Sequence, residues 1–244
     1  MNINDYAFGI DISKWQGNIN FNTVAAHIPK VTFIAAKASE GMTYKDPRFD
    51  YNWQEMKRIS VGRIAYHYMR FDYPAQAQMD NLLAATKDWN WEHDRLALDC
   101  EEEGAKTANE ITGIVNSCAE ILKGVTGRYP IIYSRAEWVN RKMIVSWMPK
   151  YDWWLAHYLK ALPDPLYTPE KMPPPALPKG VSTWLIHQTG SRGKSIGAES
   201  RYMDYDRWNG TEADVRKYFG MDAVQEPSLE EKVQILWDAH KELW

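Results

Sequence analysis

Cysteine is scarce in this chain: 244 residues contain two, Cys100 and Cys118. That excludes the disulfide framework of a small secreted scaffold, and no CxxC or HExxH spacing offers a metal site. Cys100 falls in a strand pattern and Cys118 in an amphipathic helix pattern, so two buried free thiols at one strand–helix contact are expected. Positive charge is not in excess either. Lys and Arg number 29 against 32 Asp and Glu, a formal net charge of −3, and a nucleic-acid partner would call for a basic stripe. No window approaches the ~18 apolar residues of a membrane span, so membrane insertion is not expected. The first residues, Met1 to Tyr6, lack the basic head and apolar run of a secretory signal. Synthesis in the cytoplasm is expected, or a leader already removed. What the chain has in plenty is aromatic: 12 Trp and 14 Tyr. Such rings fill cores, and they also stack on sugar faces and line clefts, which favours a carbohydrate ligand.

One stretch organises the rest. Leu96-Ala97-Leu98-Asp99-Cys100-Glu101-Glu102-Glu103-Gly104 begins as a buried strand and turns acidic before a glycine. Charge removed from water is costly unless compensated, so a buried strand gains no stability by ending in carboxylates. Alternation puts Asp99 and Glu101 on one face, with α-carbons about 7 Å apart, and Cys100 on the other. Two carboxyls at one strand end suit glycosidase chemistry, in which one is held protonated as acid while its neighbour stabilises positive charge.

Eight short strands are expected: Phe8 to Ser13, Val31 to Ala38, Arg63 to Tyr68, Leu96 to Glu101, Pro130 to Ser134, Trp153 to Tyr158, Thr183 to Gln188 and Arg201 to Asp206. Helical patterns separate the early ones: Phe21 to Ile28, Asp50 to Ser60, Ala75 to Trp89 after Pro74, and Ala108 to Val125. The last has Thr107 as N-cap and Gly124 or Gly127 near its end. Strand–helix alternation implies parallel pairing and right-handed crossovers, and eight strands suggest closure. The fold class is therefore α/β, an irregular TIM-like β/α barrel with helices mainly on its first half. Leu162 to Lys179 is proline-rich and forms no regular helix, and only a loop, Thr189 to Ser200, separates the last two strands. The domain reading is a catalytic barrel over 1–219. Residues 220–244 read as a linker and amphipathic helix, Leu229 to Trp244, with Ser228 and Glu231 as capping box, packed on the barrel or leading to a further module.

Polar residues gather at the strand ends: Asp11 and Ser13, Lys37 with Glu40, Tyr66 and Tyr68, Asp99 and Glu101, Tyr133, His157 or Tyr158, Gln188, Asp204 with Asp206. The C-terminal rim of such a barrel is where catalysis sits. Mutual repulsion among its carboxylates would raise some of their pKa values and keep an acid protonated near neutrality.

These blocks carry a resemblance. Phe8-Gly9-Ile10-Asp11-Ile12-Ser13-Lys14-Trp15-Gln16-Gly17 resembles the opening signature of the glycoside hydrolase family 25 lysozymes, the Chalaropsis-type muramidases found in many phage endolysins. Ala36-Lys37-Ala38-Ser39-Glu40-Gly41, Ala65-Tyr66-His67-Tyr68, Leu98-Asp99-Cys100-Glu101, Pro130 to Ser134, Trp154 to Tyr158, His187-Gln188 and Met203 to Asp206 are similar to later blocks, in order. The resemblance spans roughly residues 8 to 208. It implies hydrolysis of the β-1,4 bond between N-acetylmuramic acid and N-acetylglucosamine of bacterial peptidoglycan, with no cofactor or metal. Carried over by position, it implies Glu101 as general acid, Asp99 as the carboxylate that steadies the substrate's N-acetyl group or the oxocarbenium charge, and Asp11 and Asp204 as the other two cleft acids. Lys37, Glu40, Tyr66, Tyr133, Trp154 and Gln188 are the expected substrate-binding set. Cys100 departs from the family's branched aliphatic and Asp206 from its usual asparagine, and Glu102 and Glu103 lengthen the acidic run. The family's common C-terminal wall-binding repeats are missing.

Three rivals follow from the same residues. His67, His157 and His187 lie at strand ends where a barrel metallohydrolase has ligands, although alternation sets His67 opposite Tyr66 and His187 opposite Gln188. A glycan-binding barrel without catalysis would use the aromatic rim alone. A chitinase-like barrel would have aspartates at every second position before its glutamate, and residues 96 to 101 do not. The expected setting is a bacteriolytic, endolysin-type enzyme that acts on the cell wall, with a monomer favoured.

Overall fold

Residues 6–87, 89–158 and 173–221 are described in a computed structural model of the chain. β1 (Phe8–Ile12) and β2 (Val31–Glu40) flank α1 (Phe21–Ala25), and β3 (Tyr44–Lys45) folds back on the end of β2. α2 (Phe49–Arg58), β4 (Gly62–Tyr68), α3 (Ala75–Ala85), β5 (Asp94–Asp99) and α4 (Ala108–Thr126) continue the alternation. β6 (Ile131–Ser134), α5 (Ala136–Lys142) and β7 (Trp153–Ala156) follow, then β8 (Ile186–Lys194), β9 (Tyr202–Trp208) and α6 (Glu212–Tyr218).

Parallel pairing runs from β1 through β2, β4, β5, β6 and β7 to β8. β9 closes the barrel by pairing antiparallel with both β8 and β1. Eight strands thus form a closed, mixed barrel, and β3 is an appendage on β2. The expected barrel is present, with two corrections. The last strand is antiparallel, because without a crossover helix the chain can only return as a hairpin. The segment from Thr189, expected as loop, is strand as far as Lys194, with register shifts between Gln188 and Gly193.

Local chemistry accounts for the elements. Thr107 and Glu110 form a reciprocal capping box at the start of α4, and Gly127 ends it in the left-handed conformation at φ 74°. α3 starts after Pro74, as expected, but ends at Ala85, where the Thr86 hydroxyl bonds back to the Leu82 carbonyl. Helices after β6 and β9 are seven residues each, so the full-length ones belong to the first half. Residues 173–178 form no regular element. The prolines at 163, 165 and 169 and the expected helix from Leu229 to Trp244 lie outside the described residues.

Period-two alternation divides the core. Ile10, Ile12, Ile34, Ala36, Leu96, Leu98 and Cys100 face outward and pack with Val115, Cys118 and Leu122 of α4 and with the other helices. Both cysteines are free and buried, as expected. Phe33, Ala35, Ile64, Ala97, Ile131, Trp154, Ile186 and Trp208 face inward and plug the barrel. Gly9 permits this plug: a β-carbon there would sit 2.3 Å from the Phe33 ring. The plug closes the barrel interior, and one step further along each strand the inward side chains become polar.

Candidate active site

That polar layer lines a cleft of about 220 Å³ bounded by Asp11, Tyr66, Asp99, Glu101, Tyr133, Trp154, Tyr158, Gln188, Ser191 and Asp204. Each strand contributes by the alternation that built the plug: Asp11 lies two residues past Gly9, Tyr66 two past Ile64, Asp99 two past Ala97. Eight of the ten residues nominated from the sequence meet here. Asp204 reaches the rim from the first half of its strand rather than its end, because β9 is antiparallel and Asp204 stands opposite Asp11. Asp99 closes β5, and Glu101 lies two residues beyond it. The backbone between them is pinned: Cys100 N–H donates to Tyr133 O at 2.9 Å, and Ser134 Oγ donates to Cys100 O at 2.6 Å. Alternation therefore persists past the strand, with Cys100 outward and Glu101 inward.

The three consecutive glutamates have different partners. Glu102 accepts from Arg70 at 2.8 Å and from Phe71 N–H at 2.7 Å. Glu103 accepts from both terminal nitrogens of Arg141, at 2.8 and 2.5 Å. Glu101 is hydrogen-bonded to no cation among the described residues and opens into the cleft. The long acidic run is thus one cleft acid followed by two anchors.

Lys37 and Glu40 do not line the cleft. Lys37 donates to Glu40 at 2.6 Å, and Glu40 accepts in turn from Arg70. Glu40 and Arg70 border an adjoining groove of about 380 Å³ with Tyr44, Tyr73 and Glu102. Lys37 acts at a distance, its charge opposing the rise in pKa of both Asp99 and Glu101. Trp154 is a floor residue, 2% exposed, whose indole N–H donates to Asp206 at 2.7 Å. Trp184 is core, and Trp15 is 75% exposed.

Electrostatics favour protonated acids. Burial, reinforced by the charge of Glu101, pushes Asp99 well above the usual carboxylate range. Burial also raises Glu101, against the nearby positive charges of Arg135 and Lys37. Asp11 is pushed well up by burial and by Asp206, and Asp204 to about 8 by burial with Asp11 and Glu101. Burial also holds the Tyr66 and Tyr133 phenols far above their ordinary value, so they act as neutral donors. Asp99 Oδ1 is buried and meets no donor among the described residues.

The histidines point elsewhere. His67 is buried between Ser39 Oγ (2.8 Å) and Gln78 Oε1 (3.3 Å). His187 donates to the His157 carbonyl at 2.8 Å and accepts from Arg207 at 3.1 Å. Among the described residues no group of three or more His, Cys, Asp and Glu side chains is placed to hold a metal ion. Sequence reasoning missed Ser191, Arg70 and the floor position of Asp206 as parts of the site. Tyr158 was legible from the Trp154, Ala156, Tyr158 spacing. Ser191 was not, because its strand reads as loop.

Known proteins resemble this chain in sequence and in fold. The family model described as glycosyl hydrolases family 25 matches residues 10–197. Lysozyme M1 of Streptomyces globisporus is 30% identical over 218 residues, 84% of this chain and 68% of that protein. The uncharacterized protein YegX of Escherichia coli K12 is 29% identical over 221 residues, 89% and 74% of the two chains. The crystal structure of a bacterial lysozyme from Streptomyces coelicolor superposes with a TM-score of 0.75 at 26% identity, covering 89% of this chain and 98% of that one. The family match ends before Asp204, whose place beside Asp11 comes from the fold alone. With that barrel, that acidic rim and a match over most of its length, the chain belongs to the family 25 glycosyl hydrolases, the Chalaropsis-type muramidase family that its motifs resemble.

Proposed function

We propose that the chain hydrolyses the β-1,4 bond between N-acetylmuramic acid and N-acetylglucosamine in bacterial peptidoglycan, with Glu101 as general acid. The observation that carries this reading is the pairing of Glu101, open to the cleft and raised in pKa, with Asp99, which lines the same cleft and whose Oδ1 has no donor among the described residues. A substrate N-acetyl N–H donates to the Asp99 carboxyl from the cleft. Donation to Asp99 stabilises its ionised form, so the proton is kept by Glu101, the group that needs it. Glu101 then protonates the leaving glycosidic oxygen, and positive charge grows at the anomeric carbon. Asp99 orients the N-acetyl oxygen for attack on that carbon, and water resolves the ring so formed with retention of configuration. Tyr66, held neutral, donates to a sugar hydroxyl or the acetyl group, while Tyr133, whose own O–H is given to Gln188, lines the wall beside it. Asp11 and Asp204 shape the opposite wall. The adjoining groove beside Glu40 and Tyr73 extends the path of the glycan strand. The same reading covers a bacteriolytic role of the endolysin kind, tested by clearing of intact bacterial walls.

Mass spectrometry of soluble products from purified peptidoglycan, digested by wild type and by Glu101→Gln, tests the assignment. Fragments ending in reducing muramic acid should form with wild type and be reduced about 10²–10⁴-fold in rate by the variant. Glucosamine reducing ends would change the bond assigned, and undiminished turnover by Glu101→Gln would remove Glu101 from its role.

A further inference from the structure

Asp206 has no part in the acid step, yet it lies fully buried on the cleft floor, where a carboxyl needs partners. Its Oδ1 accepts from Trp154 Nε1, and an indole nitrogen can only donate. Its Oδ2 is buried and meets no N–H or O–H donor among the described residues. The Asp11 carboxyl lies within hydrogen-bond reach of Asp206. Asp11 Oδ2 is itself taken by Gln188 Nε2 at 2.6 Å. The amide of Gln188 is turned this way because its Oε1 accepts from both Tyr133 (2.8 Å) and Tyr158 (2.6 Å). The chain of donors therefore ends at two carboxyls that meet as acceptor against acceptor. Two buried carboxylates in that position repel, and a single proton between them turns the repulsion into a hydrogen bond.

We propose that Asp206 is a positioning residue that shares one proton with Asp11 and thereby fixes the Asp11 carboxyl at the cleft wall. The proposal rests on the reading of this cleft as the active site. The titratable groups facing the pair are Asp204 on the same strand, Asp99 at the end of β5 and Glu101 beyond it, and the phenols of Tyr66, Tyr133 and Tyr158 from β4, β6 and the end of β7. All are acids, so ionisation of any of them tightens the hold on the shared proton. Burial raises Asp206 to about 8, in keeping with a proton kept through neutrality and lost above it. Once it is lost, repulsion drives the carboxyls apart and Asp11 leaves its place.

The test is the pH profile of wall-suspension clearing by wild type, Asp206→Asn, Asp206→Ala and Glu101→Gln, with melting temperature followed at each pH. Asparagine offers an N–H donor that cannot ionise, so its alkaline limb should move up by about one pH unit or more, while alanine lowers turnover at all pH by about tenfold or more. An Asp206→Asn limb that coincides with wild type overturns the proposal, as does an alanine variant with wild-type turnover. Should Asp206→Asn fail to fold, carboxyl ¹³C shifts of Asp-labelled wild type carry the question. Two aspartates titrating together in two steps support the shared proton, and aspartates all ionised at pH 7 exclude it. Glu101→Gln separates this from the parent reading: wild-type clearing by that variant defeats the acid assignment, whereas an inactive Glu101→Gln with an unshifted Asp206→Asn defeats only the shared proton.

Discussion

Raising the pH from 6.5 to 8 should destabilise this protein, although most carboxylate-rich proteins lose nothing in that range. Asp204 and Asp206 keep their protons to about pH 8 in the folded chain, whereas an unfolded aspartate has a pKa of about 3.9. A carboxyl whose pKa is raised by folding contributes stability that is full below the unfolded pKa and is lost as pH rises through the folded one. The slope is about 1.4 kcal/mol per pH unit for each proton retained. Across 6.5 to 8 each group still holds most of its proton at the start and half at the end, which integrates to roughly 1–2 kcal/mol each, about 3 kcal/mol together. That is a large part of a typical stability of about 5–15 kcal/mol. Asp11 and Asp99, also raised by burial, act in the same direction. The buried imidazoles have the opposite sign: His67 is lowered to about 4 and His187 to about 3, chiefly by burial. Their contribution is lost as pH falls below the unfolded value of about 6.5 and is nearly complete above it, so it offsets little of the alkaline loss. Urea unfolding midpoints measured every half pH unit give the slope directly. Asp204→Asn, at a partly exposed site lining the cleft, should remove about half of the drop between 6.5 and 8. A stability that is flat or rises over that interval, or an Asp204→Asn slope equal to wild type, would refute the reasoning.

Two further outcomes follow from the anchors and the plug. Glu102→Gln keeps an acceptor for Phe71 but discharges the Arg70 pair, which should cost about 1 kcal/mol and slow clearing; Glu103→Gln, at an exposed pair, should leave clearing rate and melting temperature near wild type. A Glu103→Gln defect as large as that of Glu101→Gln would mean that the wrong glutamate faces the cleft. Gly9→Ala drives a methyl into the Phe33 ring, and overpacking of this kind costs about 1–3 kcal/mol, seen as a lower urea midpoint. An unchanged midpoint would show that the plug is looser than its geometry.

Much of the barrel was legible in the sequence because strands buried on one face and half-lined on the other leave a period-two trace. Phe33, Ala35 and Lys37 alternate with Ile34, Ala36 and Ala38, and the same alternation predicts that Asp99 and Glu101 share a face while Cys100 does not. The helix limits were legible where caps mark them, as at Thr107 and Gly127, and less so at Ala85, where a threonine side chain ends the helix without glycine or proline. The β8 segment after Gln188 reads as loop because its glycines, serine and charges hide a hairpin that only pairing with β9 stabilises.

Residue types and their spacing, then, sufficed for the eight strands of the barrel, though not for β3, and for the acidic rim and the family, because alternation and motif order are properties of the chain itself. Which of Glu101, Glu102 and Glu103 enters the cleft was settled by Arg70 and Arg141, which arrive from distant segments. The direction of β9, the place of Asp204 opposite Asp11, and the meeting of Asp206 with Asp11 under the Trp154 indole also required closure of the barrel. A carboxyl's protonation depends on burial and on neighbours far away in sequence, and those exist only once the chain has folded.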